Sequence, residues 1–251
     1  MNPWLYVLSG VILGLAGMAQ SAVGFGYALF ATPLLVWIGL PIEQTVALVA
    51  TCSLIQAAIG ARRLRADTPW RLSLTATAVR MLGVGIGTFG LMRLTTLDPA
   101  RIRLAVGTLL CLLVAVQFCW RPKPVETSHW GWAALAFSAS GLLSGISGMG
   151  GPPLVLWAMA HTWSSQKTRG FLFAVFLTAI PLQLVLLTYT FDSLRIVRAI
   201  LLGLAFSPLV YLGTQAGLRI GHRISKEKLR LVAYLFLLAI GLSAVVPALF
   251  R

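Results

Sequence analysis

Apolar residues run along the chain in ten segments that are separated by short polar or glycine-rich breaks. The segments cover residues 4–22, 27–40, 44–60, 71–92, 102–120, 130–146, 153–163, 170–190, 196–218 and 229–249. Most of them approach the roughly 20 residues that a helix needs to cross a bilayer. The segments at 27–40 and 153–163 are too short to span comfortably. The pattern therefore predicts an all-α polytopic membrane protein in which two helices end within the membrane.

Each short segment follows a glycine-rich break, at 24–26 and at 148–153, and the two breaks lie 124 residues apart. At the same shift, Gly17 matches Gly141 and Arg71 matches Arg195. At shifts that are two and three residues longer, 87–88 matches 213–214 and 101–104 matches 228–231. The chain is therefore predicted to consist of two homologous halves, 1–122 and 123–251, which a polar linker at 121–126 joins.

The basic residues predict how the two halves are oriented, because cytoplasmic loops carry an excess of Lys and Arg. Four simple spans in each half would divide them nine against ten between the two sides. If the broken pairs 4–40 and 130–163 each enter and return on one side, the division becomes thirteen against six. We therefore expect inverted repeats, each with a re-entrant broken helix pair plus three transmembrane helices. The loops at 62–71, 121–123, 167–169 and 219–230 are then cytoplasmic and both termini lie outside.

Composition excludes the soluble classes. Hydrophobic residues make up 58% of the chain and charged residues 10%, whereas soluble domains hold about 45–50% and about 25%. The net charge of +14 would suggest nucleic acid in a soluble protein, but these basic residues flank apolar segments, where they contact anionic lipid. We expect membrane lipids and no nucleic acid as partners. The start of the chain lacks a basic signal-peptide region, so the first helix is expected to stay in a bacterial-type inner membrane.

The sequence offers no catalytic or metal-binding constellation. An intramembrane enzyme needs a nucleophile with its base, or metal ligands, facing each other across spans. The cysteines and histidines lack such spacing, and the carboxylates lie at segment ends: Cys52, Cys111, Cys119, His129, His161, His222, Glu43, Asp67, Asp98, Glu126, Asp192 and Glu227. We expect no enzyme activity, no metal and no cofactor. Without a carboxylate deep in a span, the membrane potential is the expected driving force.

The two glycine-rich breaks are the candidate binding site. Secondary transporters place substrates where broken helices of inverted repeats meet. Each break opens a short helix, whose free N–H groups and positive dipole end favour an anion. The structural alternative is that these glycines only allow tight packing, as we expect for Gly83, Gly87, Gly213 and Gly217. The candidate residues are Gln20, Ser21, Gly24, Phe25, Gly26 and Tyr27, together with Ser144, Ser147, Gly148, Met149, Gly150, Gly151 and Pro152.

Arg80 lies midway through the segment 71–92, where a guanidinium is costly unless it faces a cavity or a partner. It is predicted either to be the counter-charge of the anion, or to lie at a membrane interface, or to bond helix carbonyls. For Gln56 and Gln183 we favour interhelical hydrogen bonding over substrate contact. For His161 we favour a capping or interfacial role over a proton relay.

The run 23–27, with Pro33-Leu34-Leu35 after it, resembles the first signature of the sulfite exporter TauE/SafE family, although it has Gly-x-Gly instead of a fuller glycine cluster. The run 141–154 resembles the second signature. The resemblance covers nearly the whole chain and implies a transporter, usually an exporter, of sulfite, organosulfonates or related small sulfur anions. A transporter of a small carboxylate stays the alternative, because the same helix ends would bind it. The oligomeric state stays open, with a homodimer as one alternative.

Overall fold

The computed structural model describes residues 3–23, 26–119, 129–223 and 226–249, and the elements assigned in these ranges are all α-helices. They are α1 (Pro3–Val23), α2 (Tyr27–Trp37), α3 (Ile42–Arg63), α4 (Trp70–Thr95), α5 (Pro99–Cys119), α6 (Trp130–Ser147), α7 (Gly151–Met159), α8 (Ser165–Thr190), α9 (Ser193–Ala205), α10 (Ser207–Arg223) and α11 (Lys226–Leu249). The two helices that begin at the glycine-rich breaks, α2 and α7, have 11 and 9 residues. Both are too short to cross a bilayer by themselves.

Five helices of the described ranges, α1, α3, α4, α5 and α8, are long and apolar enough to cross a membrane. Their outward faces are apolar, as on α4, where Leu82 and Ile86 are 71% and 67% exposed. Exposing such apolar faces to water would cost free energy, so these faces are expected to contact lipid. The chain is thus a multi-pass integral membrane protein.

The apolar segment 196–218 is divided between two helices. The chain bends by 47° between α9 and α10, so the pair is either a broken span or a re-entrant loop. Pro208 cannot donate the backbone hydrogen bond that would continue α9 into α10. The Ser207 hydroxyl instead donates to the carbonyl oxygen of Leu204 at 2.7 Å.

Helix pairs in close contact recur in a regular pattern. α4 packs on α6 and α1 on α10, α4 also contacts α8 while α3 contacts α9, and the pairs α5–α11 and α3–α8 complete the bundle. Glycines set the two closest contacts: a Cβ on Gly83 or Gly87 would collide with backbone atoms of α6, and one on Gly213 or Gly217 with backbone atoms of α1. The packing role predicted for these four glycines is confirmed.

Loop contacts define two ends of the bundle. At the first end, Thr68, which follows α3, lies against Gly170 near the start of α8. At the second end, residues 39–43, 95–103 and 191–195 contribute to the wall of one open cavity of about 580 Å³. α2 therefore ends at the second end. α7 ends at the first, where Trp157 of α7 and Phe171 of α8 both contact the Trp163 ring.

Candidate functional site

The N-termini of α2 and α7 line the same cavity, which has a volume of about 100 Å³ and which we call the central cavity. The residues that the two helix starts contribute to its wall are Gly26, Tyr27, Ala28, Leu29, Gly148, Met149, Gly151 and Pro152. One water needs roughly 10–15 Å³ of such space. The cavity therefore has room for one small ion with a few waters.

Glycine is required at the turn before each short helix. Gly26, the N-cap of α2, has φ of 99°, and Gly148, directly after α6, has φ of 75°. Only glycine adopts these left-handed conformations without strain. They redirect the chain so that each short helix starts at the central cavity.

The two helix starts differ in the hydrogen-bond donors that they carry. In α2 the amide of Phe30 donates to the carbonyl oxygen of Gly26, so the amides of residues 27–29 precede the first intrahelical bond and keep no acceptor within the helix. In α7, Pro152 and Pro153 occupy the first turn and have no N–H to donate. The α2 start is thus rich in backbone donors and the α7 start is poor in them.

Arg80 of α4 supplies a side-chain donor on the α7 side of the cavity. The residue is buried within the helix bundle, with 1% of its surface exposed. Its Nε donates to the Ser140 hydroxyl at 3.1 Å and its Nη2 to the Ser144 hydroxyl at 2.8 Å. These bonds go to hydroxyl groups of α6, so bonding to helix carbonyls does not describe its contacts.

The two serines are themselves fixed by further acceptors. The Ser140 hydroxyl donates to the carbonyl oxygen of Gly150 at 2.5 Å, and the Ser144 hydroxyl donates to Oε1 of Gln183 at 2.9 Å. Gln183 in turn donates from Nε2 to the backbone oxygen of Ser144. Each serine can therefore only accept from Arg80, and the network holds the guanidinium plane in one orientation.

The remaining nitrogen, Nη1 of Arg80, is buried and has no hydrogen-bond partner among the described residues. No carboxylate lines the central cavity, and the ion pairs in the described part of the chain are Arg101–Asp98 and Arg195–Asp192, both at exposed positions. A buried charge without a counter-ion is costly. An anion in the central cavity would remove this cost.

Most of the predicted site residues line the central cavity, and three described ones do not. Those on its wall are Gln20, Gly26, Tyr27, Arg80, Ser144, Gly148, Met149, Gly151 and Pro152. The hydroxyls of Ser21 and Ser147 donate to the carbonyl oxygens of Gly17 and Leu143 in their own helices. The carbonyl oxygen of Gly150 accepts the hydrogen bond from the Ser140 hydroxyl. Gly24 and Phe25 lie outside the described residues.

Several residues on or behind the cavity wall were not predicted as site residues. Ser140 lies one helical turn before Ser144 on α6, and this spacing could have identified it. Phe176, whose ring centroid lies 5.4 Å from Cζ of Arg80, and Arg169 carry no such signal. The interhelical bonds expected of Gln56 and Gln183 are confirmed, the first by its bond to the Thr214 hydroxyl at 3.1 Å. His161 contacts the carbonyl oxygen of Trp157 through Nδ1 at 2.9 Å, in keeping with a capping role.

Several helices able to span a membrane surround a small central cavity that Arg80 and Arg169 line, and this arrangement is typical of multi-pass membrane transporters. The sequence model of the sulfite exporter TauE/SafE family matches residues 9–244, and the chain belongs to this family of membrane transporters, which are not enzymes. A protein of Cupriavidus necator described as "Probable sulfite/organosulfonate exporter TauE" is 25% identical over 243 residues, which cover 95% of this chain and 93% of that protein. No solved structure gave a significant match.

Proposed function

We propose that this transporter exports a small sulfur oxyanion, sulfite or an organosulfonate, and that it binds the anion in the central cavity. The observation that carries the binding site is the buried, unpartnered Nη1 of Arg80 at a cavity without carboxylates. The description of the Cupriavidus necator relative supports the substrate class.

The anion would bridge the two short helices. On one side, the amides at the start of α2 supply donors. On the other side, Arg80 stands where Pro152 and Pro153 have removed backbone donors from α7. The guanidinium is a fixed positive charge at any physiological pH, and the positive ends of both helix dipoles add to its field.

We also propose that the halves are inverted repeats with re-entrant short helices near the membrane midplane. Exchanging α1, α3 and α4 for α6, α8 and the α9–α10 pair reproduces the observed helix contacts, α4–α6 with α10–α1 and α4–α8 with α9–α3. Four simple spans per half would separate the 62–71 and 167–169 loops, yet Thr68 lies against Gly170. In the inverted arrangement both loops are cytoplasmic.

The membrane potential would drive export. No carboxylate on the cavity wall is available to carry a proton or a sodium ion. Moving one negative charge out of a negative interior gains about 2.3 kcal/mol per 100 mV, which corresponds to a concentration ratio of roughly 40-fold. Alternating exposure of the central cavity to the two sides would couple this energy to transport.

The test is sulfite flux into proteoliposomes that carry the purified protein, with a potassium diffusion potential imposed in either direction. We expect saturable flux that reverses with the sign of the potential and that excess organosulfonate inhibits. Flux that ignores the potential would refute the driving force. Saturable acetate flux without any sulfite flux would shift the assignment to a small carboxylate.

A further inference from the structure

A second cavity of about 280 Å³ adjoins the central cavity, and we call it the vestibule. Four side chains line both spaces, Gln20 of α1, Gln56 of α3, and Arg169 and Phe173 of α8. We call these four side chains the partition. These side chains lie between the vestibule and the proposed anion site.

The mouth of the vestibule is basic. Arg63 at the end of α3 and Arg169 in the first turns of α8 line it, and both are exposed. No acidic residue lies on its wall. The mouth faces the end of the bundle at which Thr68 meets Gly170, where the loops carry the larger share of the basic residues. Positive charge at a concave opening raises the local concentration of anions.

Phe173 is the apolar member of the partition, and the other three side chains are polar or charged. Its ring lies directly on Gly60 of α3, where a Cβ would collide with three ring atoms. Arg169 lies one helical turn before Phe173, so the two side chains share one face of α8. The ring packs against α3 and belongs to a residue of α8. A relative movement of α3 and α8 would therefore displace it.

The matching positions in the other half of the chain are closed. The 124-residue shift pairs partition and vestibule positions with side chains that are at most 8% exposed: Gln56 with Ile180, Gly60 with Leu184, Arg63 with Leu187, Arg169 with Thr45 and Phe173 with Val49. The central cavity thus has a basic, partly open approach on one side, whereas the matching positions in the other half are buried and mostly apolar.

From these observations we infer that the vestibule is the cytoplasmic approach to the anion site and that Phe173 is the barrier in it. Arg63 and Arg169 draw the anion into the mouth, and Arg169 passes it across the partition because its side chain lines both spaces. This inference rests on the proposed function. The partition then controls access to the central cavity from the cytoplasm. The buried residues at the matching positions close the central cavity on the opposite side.

The test measures how fast a cysteine in the central cavity is modified from the cytoplasmic side. The full-length protein, with Cys52, Cys111 and Cys119 replaced by Ala, carries Ser53→Cys, because Ser53 lines the central cavity and not the vestibule. Inside-out vesicles are treated with the impermeant anionic reagent sulfonatoethyl methanethiosulfonate. Phe173→Ala is expected to raise the initial rate by roughly tenfold or more. Phe173→Leu, the milder change, is expected to give an intermediate rate and replaces the Ala variant if that one does not fold.

A second residue of α8 and a second reagent provide the controls. Leu182→Ala changes an exposed apolar residue of α8 that lines neither the central cavity nor the vestibule, so the rate should stay that of the parent. Arg169→Gln should lower the rate with the anionic reagent relative to a cationic trimethylammonium reagent. Lys167→Gln, whose ammonium lies over the Trp163 ring and outside the vestibule wall, should leave this ratio unchanged.

Three outcomes would overturn the inference: equal rates with and without Phe173, faster modification of the parent from right-side-out vesicles, or an unchanged reagent ratio in Arg169→Gln. Thiol modification does not depend on sulfite flux. A protein that transports no sulfite would therefore refute the proposed function, while the labelling rates would still decide the role of the partition.

Discussion

Replacing Arg80 by Gln removes the buried cation of the proposed anion site and leaves Arg169, which lines the central cavity but is exposed. The free Nη1 donor and its charge disappear, while the Gln amide can still donate to one of the hydroxyls of Ser140 and Ser144. A hydrogen bond to a charged group contributes about 1.5–3 kcal/mol. Since about 1.4 kcal/mol is a factor of ten in affinity, the half-saturating sulfite concentration should rise about 10- to 100-fold.

The fold should tolerate this change, because it removes a buried charge that has no counter-ion in the described structure. Arg80→Lys keeps the charge but cannot present the planar fork that the two serines hold, so we expect an intermediate half-saturating concentration. The measurement is initial sulfite flux in proteoliposomes at a fixed potential over a series of concentrations. Protein amounts are matched by the monodisperse peak in size-exclusion chromatography.

Arg93→Gln is the matched control on the same helix. Arg93 also lies over an aromatic ring, that of Phe89, but it is outside the central cavity. Its flux curve should match that of the unmodified protein. An Arg80→Gln protein with an unchanged half-saturating concentration would refute the anion site as drawn here, whatever its maximal flux.

Three further predictions concern packing, orientation and topology. Gly141→Ala should lower the folded yield, because its Cβ would collide with the backbone of Arg80, whereas Gly85→Ala, with open space around it, should preserve or slightly raise the melting temperature in detergent. Gln183→Leu should raise the half-saturating sulfite concentration several-fold by releasing Ser144, without abolishing the potential dependence of flux. A cysteine at Arg65, in a cysteine-free protein, should react with impermeant reagents only in inside-out vesicles, and labelling from the outside would contradict the inverted arrangement.

The two helix starts could be predicted because their causes are local. Glycines at 26 and 148 permit the left-handed turn, and Pro152 suits the first turn of a helix whatever surrounds it. The bend between α9 and α10 was missed, although Pro208 was a local signal for it. The apolar run across 196–218 was given more weight than the missing N–H.

The role of Arg80 could be predicted only in part. Its depth in an apolar segment made it a candidate counter-charge among three alternatives, but its partners come from α6, about 60 residues further along the chain. The spacing of Ser140 from Ser144 was a local signal for it, but the contact of its hydroxyl with a guanidinium follows only from the packing of α4 on α6. The partition was missed for the same reason, since Phe173 and Gly60 are neighbours only because α3 packs on α8.

By itself the sequence determined the membrane environment, the helix content and the glycine-rich starts of the two short helices. These properties follow from composition, segment length and backbone conformation, which act within one helix or one turn. Only the tertiary structure decided which donors reach the central cavity, that Nη1 of Arg80 has no partner among the described residues, and that Phe173 packs on Gly60. Each of these features depends on contacts between residues of different helices. The periodicity of the sequence does not determine which residues of two helices come into contact.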